Sequence, residues 1–191
     1  MNEERVQDLV RQLIIEIGED PDREGLKRTP ERVAKSWIEL TAGYRDDPKE
    51  IFSRAIFESE ANNMIIARDI EVYSLCEHHL LPFYGICHIG YIATDKVIGV
   101  SKIARIVDHF ARRLQIQERL TAQIAREIQG AVNAEGVGVV MECRHLCMMM
   151  RGVEKQRSIM TTSSVLGSFH NSQATRLEFL NLVGNASNLG G

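Results

Sequence analysis

No run in this 191-residue sequence is apolar for anything close to the ~20 residues that a membrane-spanning helix needs. The opening residues Met1-Asn2-Glu3-Glu4 carry charge at once and lack the apolar centre of a secretion signal. A strong excess of charge of either sign is also missing. The formal net charge is −3, which argues against a general nucleic-acid binder. Cysteine is scarce, with Cys76, Cys87, Cys143 and Cys147 making up the whole complement of 4. A disulfide framework is not expected from so few cysteines without a signal segment, and metal or catalytic use is. There is no short-period repeat and no low-complexity segment. These absences lead us to expect a soluble, cytoplasmic protein, with no nucleic acid and no membrane among its partners. One domain with a sizeable core and an added helical arm suits the length.

Hydrophobic periodicity supplies the elements. Val6, Leu9, Val10, Leu13, Ile14 and Ile17 recur at three and four, which predicts a helix over 3–17 ended by Gly18. A second helix is expected from Thr29-Pro30, with Thr29 as its cap and Val33, Trp37 and Leu40 on its apolar face. From Met64 the period changes to that of a long strand that delivers Cys76 at its end. Pro82-Phe83-Tyr84-Gly85 reads as a turn, followed by a strand over 86–94 and a short one over 97–100. Two helices follow. The first runs from Ser101 as cap to about 114, with Ile103, Ile106, Val107 and Phe110 inward. The second covers about 118–133, with Leu120, Ile124, Ile128 and Val132 inward. Strands over 137–147 and 158–166 and a helix over about 172–183 complete the chain. The order strand-strand, helix-helix, strand-strand implies an α+β fold, an antiparallel four-stranded sheet with a helix pair on one face.

The chemistry concentrates in two short stretches. Cys76-Glu77-His78-His79 places a thiol and two imidazoles in four residues, and Glu142-Cys143-Arg144-His145-Leu146-Cys147 forms a second cluster. Zinc takes thiolate and imidazole ligands tetrahedrally, and a catalytic zinc keeps one position open. Cys76, His79 and one cysteine of the second cluster would make such a site, with His78 and His145 beside it as proton carriers. A closed structural site of Cys76, His79, Cys143 and Cys147 is the alternative. Strand parity does not separate them, because Cys143, His145 and Cys147 share a face if the strand stays regular. Glu77 reads as a solvated turn residue, His88 as structural and Met148-Met149-Met150 as core filler. Ser101-Lys102 opens a helix just after a strand, where an anion is favoured, and Arg105 lies one turn on. Arg144, Arg151 and Lys155 flank the second cluster, which suggests a phosphorylated substrate.

Four stretches together resemble the GTP cyclohydrolase I family. They are Ser74-Leu75-Cys76-Glu77-His78-His79-Leu80-Leu81-Pro82-Phe83-Tyr84-Gly85, the segment from Gly99 to Val107 that contains Ser101-Lys102, the segment from Arg113 to Thr121, and the segment from His145 to Val153. They come in the family's order, and the resemblance spans about Glu24 to Leu182.

That resemblance implies the tunnelling fold as a catalytic domain over 61–184. A helical arm would precede it over 1–60, and a flexible tail would follow over 185–191. Subunit sheets would join into barrels and two rings would stack as a homodecamer, with active sites at subunit interfaces. The reaction implied converts GTP and water to 7,8-dihydroneopterin triphosphate and formate, the entry to folate and other pterins. Residue by residue, the resemblance makes Cys76, His79 and Cys147 the ligands of a Zn2+ cofactor, with Cys143 outside the set. His78 and His145 become catalytic histidines, and Ser101 a further proton-transfer group. Glu118 reads the guanine edge with Gln117 beside it, and Ser101, Lys102, Arg105 and Arg151 contact the ribose triphosphate. Two competing expectations remain. One is a structural-zinc oligomer that binds a purine nucleotide without turnover. The other is a different tunnelling-fold enzyme of purines or pterins.

Overall fold

The structure is a computed structural model and describes residues 1–45, 47–52, 55–60 and 63–184. The tail expected over 185–191 lies outside the described residues. The chain divides into two compact units, 1–42 and 43–191.

The first unit is a helix pair, α1 (Glu3–Glu16) and α2 (Thr29–Leu40). Asn2 caps α1 by accepting from the Arg5 N–H at 2.9 Å. Gly18 stands just past its end at φ +90, where a residue without Cβ is unstrained. The expected cap of α2 moves by one residue. Thr29 is already helical, Arg28 takes the cap position without a side-chain bond, and Pro30 lies in the first turn. Arg11 of α1 ties down Asp22 in the middle of the connecting loop through a double hydrogen bond of 2.9 and 2.7 Å.

The second unit is built on a sheet of β2 (Met64–Cys76), β3 (Pro82–Ile92), β6 (Gly136–His145) and β7 (Met160–Gly167), each antiparallel to the next. The expected four strands are therefore present. A two-residue parallel strand, β5 (Leu114–Gln115), adds a fifth beside the end of β2. The short segment β4 (Lys96–Ile98) leaves this sheet and pairs instead with β1 (Ile56–Glu58), which the sequence pattern did not indicate. α3 (Pro48–Phe52) precedes β1.

α4 (Val100–Ala111) and α5 (Gln117–Val132) form the helix pair. Their inward residues are the expected ones: Ile103, Ile106, Val107 and Phe110 of α4, with Leu120, Ile124, Ile128 and Val132 of α5, all join one core cluster. Burying side chains of this size contributes ~1.5–3 kcal/mol each before entropy is counted. Ser101, expected as the α4 cap, lies one residue inside the helix, and Gly99 caps it.

The opposite sheet face is covered at one end by α7 (Ser168–Asn171) and α8 (Gln173–Gly184). The anchor there is Phe179, fully buried against Phe169, whereas Leu177 and Leu180 stay exposed. Gly90 and Gly138 pair across β3 and β6, and both phenyl rings rest on them. A Cβ at Gly138 would come within 2.7 Å of Phe169, so the glycine pair makes room for the rings. Among the described residues, no helix is long and apolar enough to cross a membrane.

Candidate metal centre

The turn between β2 and β3 is not at Pro82–Gly85, where sequence pattern placed it. It spans 77–81, and Pro82 is the first residue of β3, a strand position that does not need a donated N–H. The turn closes on Cys76 itself. The Cys76 carbonyl accepts from the N–H groups of His79 and Leu80 at 3.3 and 2.8 Å, and its own N–H donates to Leu81 at 2.9 Å. Leu80 adopts φ +55, a left-handed conformation rare outside glycine and asparagine. This tight closure folds both imidazoles back over the thiol. The Cys76 sulfur lies 4.0 Å from His78 Nδ1 and 3.8 Å from His79 Nδ1.

Cys147 arrives by a different route from the regular strand considered above. β6 ends at His145, and residues Leu146–Met149 form a single helical turn, α6. Cys76, His79 and Cys147 then each offer a donor atom, and the three donors lie within 4.8 Å of one another, so the group could hold a metal ion. Burial and the neighbouring Cys76 sulfur push the Cys147 thiol pKa up. Cys143 stands apart from these three. It is 1% exposed in the main core, where burial pushes its thiol up to about 12.

His145 is half-buried beside this group. Its ring stacks on Phe83, and its Nε2 lies 2.9 Å from the side-chain oxygen of Gln117. Burial lowers the His145 pKa below the ordinary imidazole value, and the negative charge of Glu118 opposes that shift. Glu118 itself is exposed in the first turn of α5. His78 is 65% exposed, near the Glu77 carboxylate.

Glu77 is not the solvated turn residue expected. It pairs with Arg119, which holds its carboxyl pKa below the usual range. Arg119 also donates to Gln115 Oε1 at 2.9 Å and to the Leu114 carbonyl at 3.1 Å. Gln115, 2% exposed, donates in turn to Phe110 and Gln123. The turn that carries Cys76 and His79 is thus clamped to β5 and α5, an arrangement that sequence reading missed. One signal existed: Arg119 sits in the first turn of a helix, where the dipole disfavours a cation, so a specific anionic partner was to be sought.

Of the expected phosphate contacts, Arg151 lies near enough for its charge to act on the Cys147 thiol, whereas those on α4 begin at the end of that helix away from the Cys76 turn. Ser101, Lys102 and Arg105 lie at the start of α4, whereas its last residue, Ala111, accepts a hydrogen bond from Ser74 beside the turn that carries Cys76 and His79. Ten residues of helix put ~15 Å between Ser101 and that end. Arg151 is exposed just beyond α6.

The sequence profile of the family described as GTP cyclohydrolase I matches residues 6–184. A protein named GTP cyclohydrolase 1 from Methylococcus capsulatus is 61% identical over 176 residues, covering 92% of this chain and 95% of its own length. Proteins of the same name from Leptospira biflexa and Coxiella burnetii are 57% and 55% identical over 178 residues, each covering 93% of this chain and 97% of the relative.

Proposed function

The chain belongs to the GTP cyclohydrolase I family, and from that membership we propose that it hydrolyses GTP to 7,8-dihydroneopterin triphosphate and formate at the Cys76–His79–Cys147 centre. The core sheet with its helix pair is that of the tunnelling fold. The observation that carries the reading is the gathering of three metal donors from two distant stretches, with His145 beside them.

The donor set suits zinc. Soft thiolates with an imidazole favour it over magnesium or calcium. Tetrahedral bonds of ~2.3 Å to sulfur and ~2.0–2.1 Å to nitrogen would put those two atoms about 3.5 Å apart. The Cys76 sulfur and His79 Nδ1 are 3.8 Å apart already. With three protein ligands, a bound zinc supplies Lewis acidity that makes water a competent nucleophile near neutral pH. Cys143 is held in the core and is left out of the set.

The rest of the chemistry falls to the chain's own residues. Attack of water at C8 of the purine needs a proton on N7, and we assign its delivery to His145. The ring opens, and a second hydrolysis releases C8 as formate. Rearrangement of the sugar and closure of the new ring require further proton transfers, for which His78 and Ser101 serve. The Glu118 carboxylate accepts two N–H bonds from the guanine edge with Gln117 beside it. Adenine offers no such pair, and an unpaired acceptor there would be costly. Lys102, Arg105, Arg151 and Ser101 hold the ribose triphosphate.

The ~15 Å of helix between Ser101 and the end of α4 nearest the turn that carries Cys76 and His79 supports a site shared between subunits. A second copy would bring the start of its α4 to this chain's metal centre. The long edges of β2 and β7 have no antiparallel partner among the described residues, and closing sheets into a ring would pair them. A homodecamer with interface sites meets both requirements. Four free thiols suit the cytoplasm, a reducing compartment. The test is incubation of the purified protein with GTP, following formate and, after oxidation, pterin fluorescence. Release of both supports the reading, and binding of GTP without either product would overturn it.

A further inference from the structure

Gln117 is 1% exposed at the first position of α5, and its side chain is tied into a network whose direction can be worked out. Its amide nitrogen lies 3.0 Å from the Met141 carbonyl oxygen, 2.9 Å from that of Met160 and 3.1 Å from the Thr162 hydroxyl. Main-chain carbonyls only accept, so the group that faces them is the NH2. The Thr121 hydroxyl donates to the Gln117 carbonyl at 2.7 Å, which leaves its oxygen to accept from Thr162 at 2.7 Å. Thr162 has then used its one proton, so it can only accept from Gln117, sharing one of the two amide hydrogens with a carbonyl. The remaining polar atom, Gln117 Oε1, is an acceptor, and it lies 2.9 Å from His145 Nε2. An amide oxygen facing that nitrogen requires the nitrogen to carry a hydrogen.

We propose that Gln117 is a positioning residue for the reaction, holding neutral His145 as the Nε2–H tautomer so that the proton exchanged with substrate moves through Nδ1. This rests on the reading of His145 as the proton carrier toward the purine. In the transfer, the Nδ1–H bond breaks as the new bond forms at N7, and His145 is left neutral with its Nε2–H still donated to Gln117. Phe83 fixes the plane of the ring, and Gln117 fixes its rotation within that plane. The two anchors together define where Nδ1 points. A wrong tautomer would present an N–H where the neutral ring must take up a proton, and a histidine held in the wrong tautomer by a changed partner is known to lose orders of magnitude in rate.

The test is a long-range proton–nitrogen NMR correlation on the full-length, zinc-loaded protein labelled at histidine nitrogens. It is recorded at about pH 8.5, above the ordinary imidazole range. His145 signals are identified by their loss in His145→Asn. We expect a protonated Nε2 and a bare Nδ1 in the parent protein. A proton on Nδ1 instead would overturn the proposal whether or not any variant folds. Gln117→Met, similar in length but unable to accept, should mix the two tautomers and lower kcat about 10²-fold, with KM for GTP within about threefold. A merely structural role would lower the melting temperature and leave the tautomer and kcat in place. A rise in KM at unchanged kcat would make Gln117 a substrate contact and equally overturn the proposal. A parent protein that leaves GTP intact would overturn the reaction itself, and the spectrum, which involves no GTP, tells that failure apart.

Discussion

The imidazole of His145 lies flat against the ring of Phe83, with centroids 4.7 Å apart and planes 9° apart. The two residues face each other in the register of β3 and β6, and Phe83 is fully buried. A histidine at the last position of a strand has no ladder neighbour beyond it to set the plane of its ring. The stacked ring gives it one plane. Phe83→Leu keeps an apolar group but removes the flat surface. We expect zinc content unchanged, turnover of GTP reduced on the order of tenfold and stability lowered by about 1 kcal/mol. Undiminished turnover, measured beside metal content and a denaturant melt, would show that the stacking serves packing alone.

The ligand set separates the cysteines sharply. Cys147→Ser and Cys76→Ser should each abolish stoichiometric zinc, because removing one of three protein ligands leaves two. Cys143→Ser should retain the metal, since Cys143 lies in the core apart from the three gathered donors. Metal analysis after exhaustive dialysis decides the matter. Loss of zinc in Cys143→Ser would mean a closed, four-ligand site.

The clamp of Arg119 on Glu77 would support a bound metal at one remove. Arg119 holds the residue next to Cys76 and, through Leu114 and Gln115, the parallel strand alongside it. Lysine lacks the planar fork that spans these partners. Arg119→Lys should weaken zinc binding about 10–100-fold, the range seen when groups orienting metal ligands are lost. Competition with a chelator measures this. An unchanged affinity would place the clamp outside the metal's support.

The sheet also carries a pH-sensitive contact away from the metal centre. His88, 5% exposed, accepts the Asp69 N–H at Nδ1 over 3.1 Å, where the register of β2 and β3 slips. Burial lowers its pKa. The charges of Asp69 and Glu142 pull the other way, and that of Arg68 adds to the lowering. The folded state therefore takes up this proton at lower pH than the unfolded chain, whose histidine titrates near 6.5. Stability from this group is present above that value and falls as pH drops through it, because the unfolded state then binds more protons. His88→Gln keeps an acceptor that does not titrate. Its melting temperature should fall less than the parent's between about pH 7.5 and about pH 5.5. Equal falls would remove His88 from the pH response.

Much of this architecture was legible because the patterns that specify it are local. The inward residues of α4 and α5 follow helical spacing, and the long strand from Met64 shows its β-branched residues plainly. The turn was misplaced for a physical reason. Its left-handed residue is Leu80, held there by the hydrogen bonds that close on Cys76, and no glycine or asparagine marks it. Pro82 drew the eye instead, although a first strand position tolerates it. The helical turn carrying Cys147 was hidden because Leu-Cys-Met-Met has no helical signature over so short a span. The link from Gln117 to His145 joins residues 28 apart directly, one at the start of a helix and the other at the end of a strand. Only tertiary packing brings those partners together, and no spacing in the sequence announces them.

The most direct measurement uses GTP labelled with carbon-13 at C8. Zinc-loaded protein is incubated with this substrate, and both formate and the pterin product are analysed by mass. We expect every formate to carry the label, one per dihydroneopterin triphosphate formed, and neither product from Cys147→Ser. Label retained in a purine, or unlabelled formate, would contradict hydrolysis at C8 and with it the function assigned to this centre.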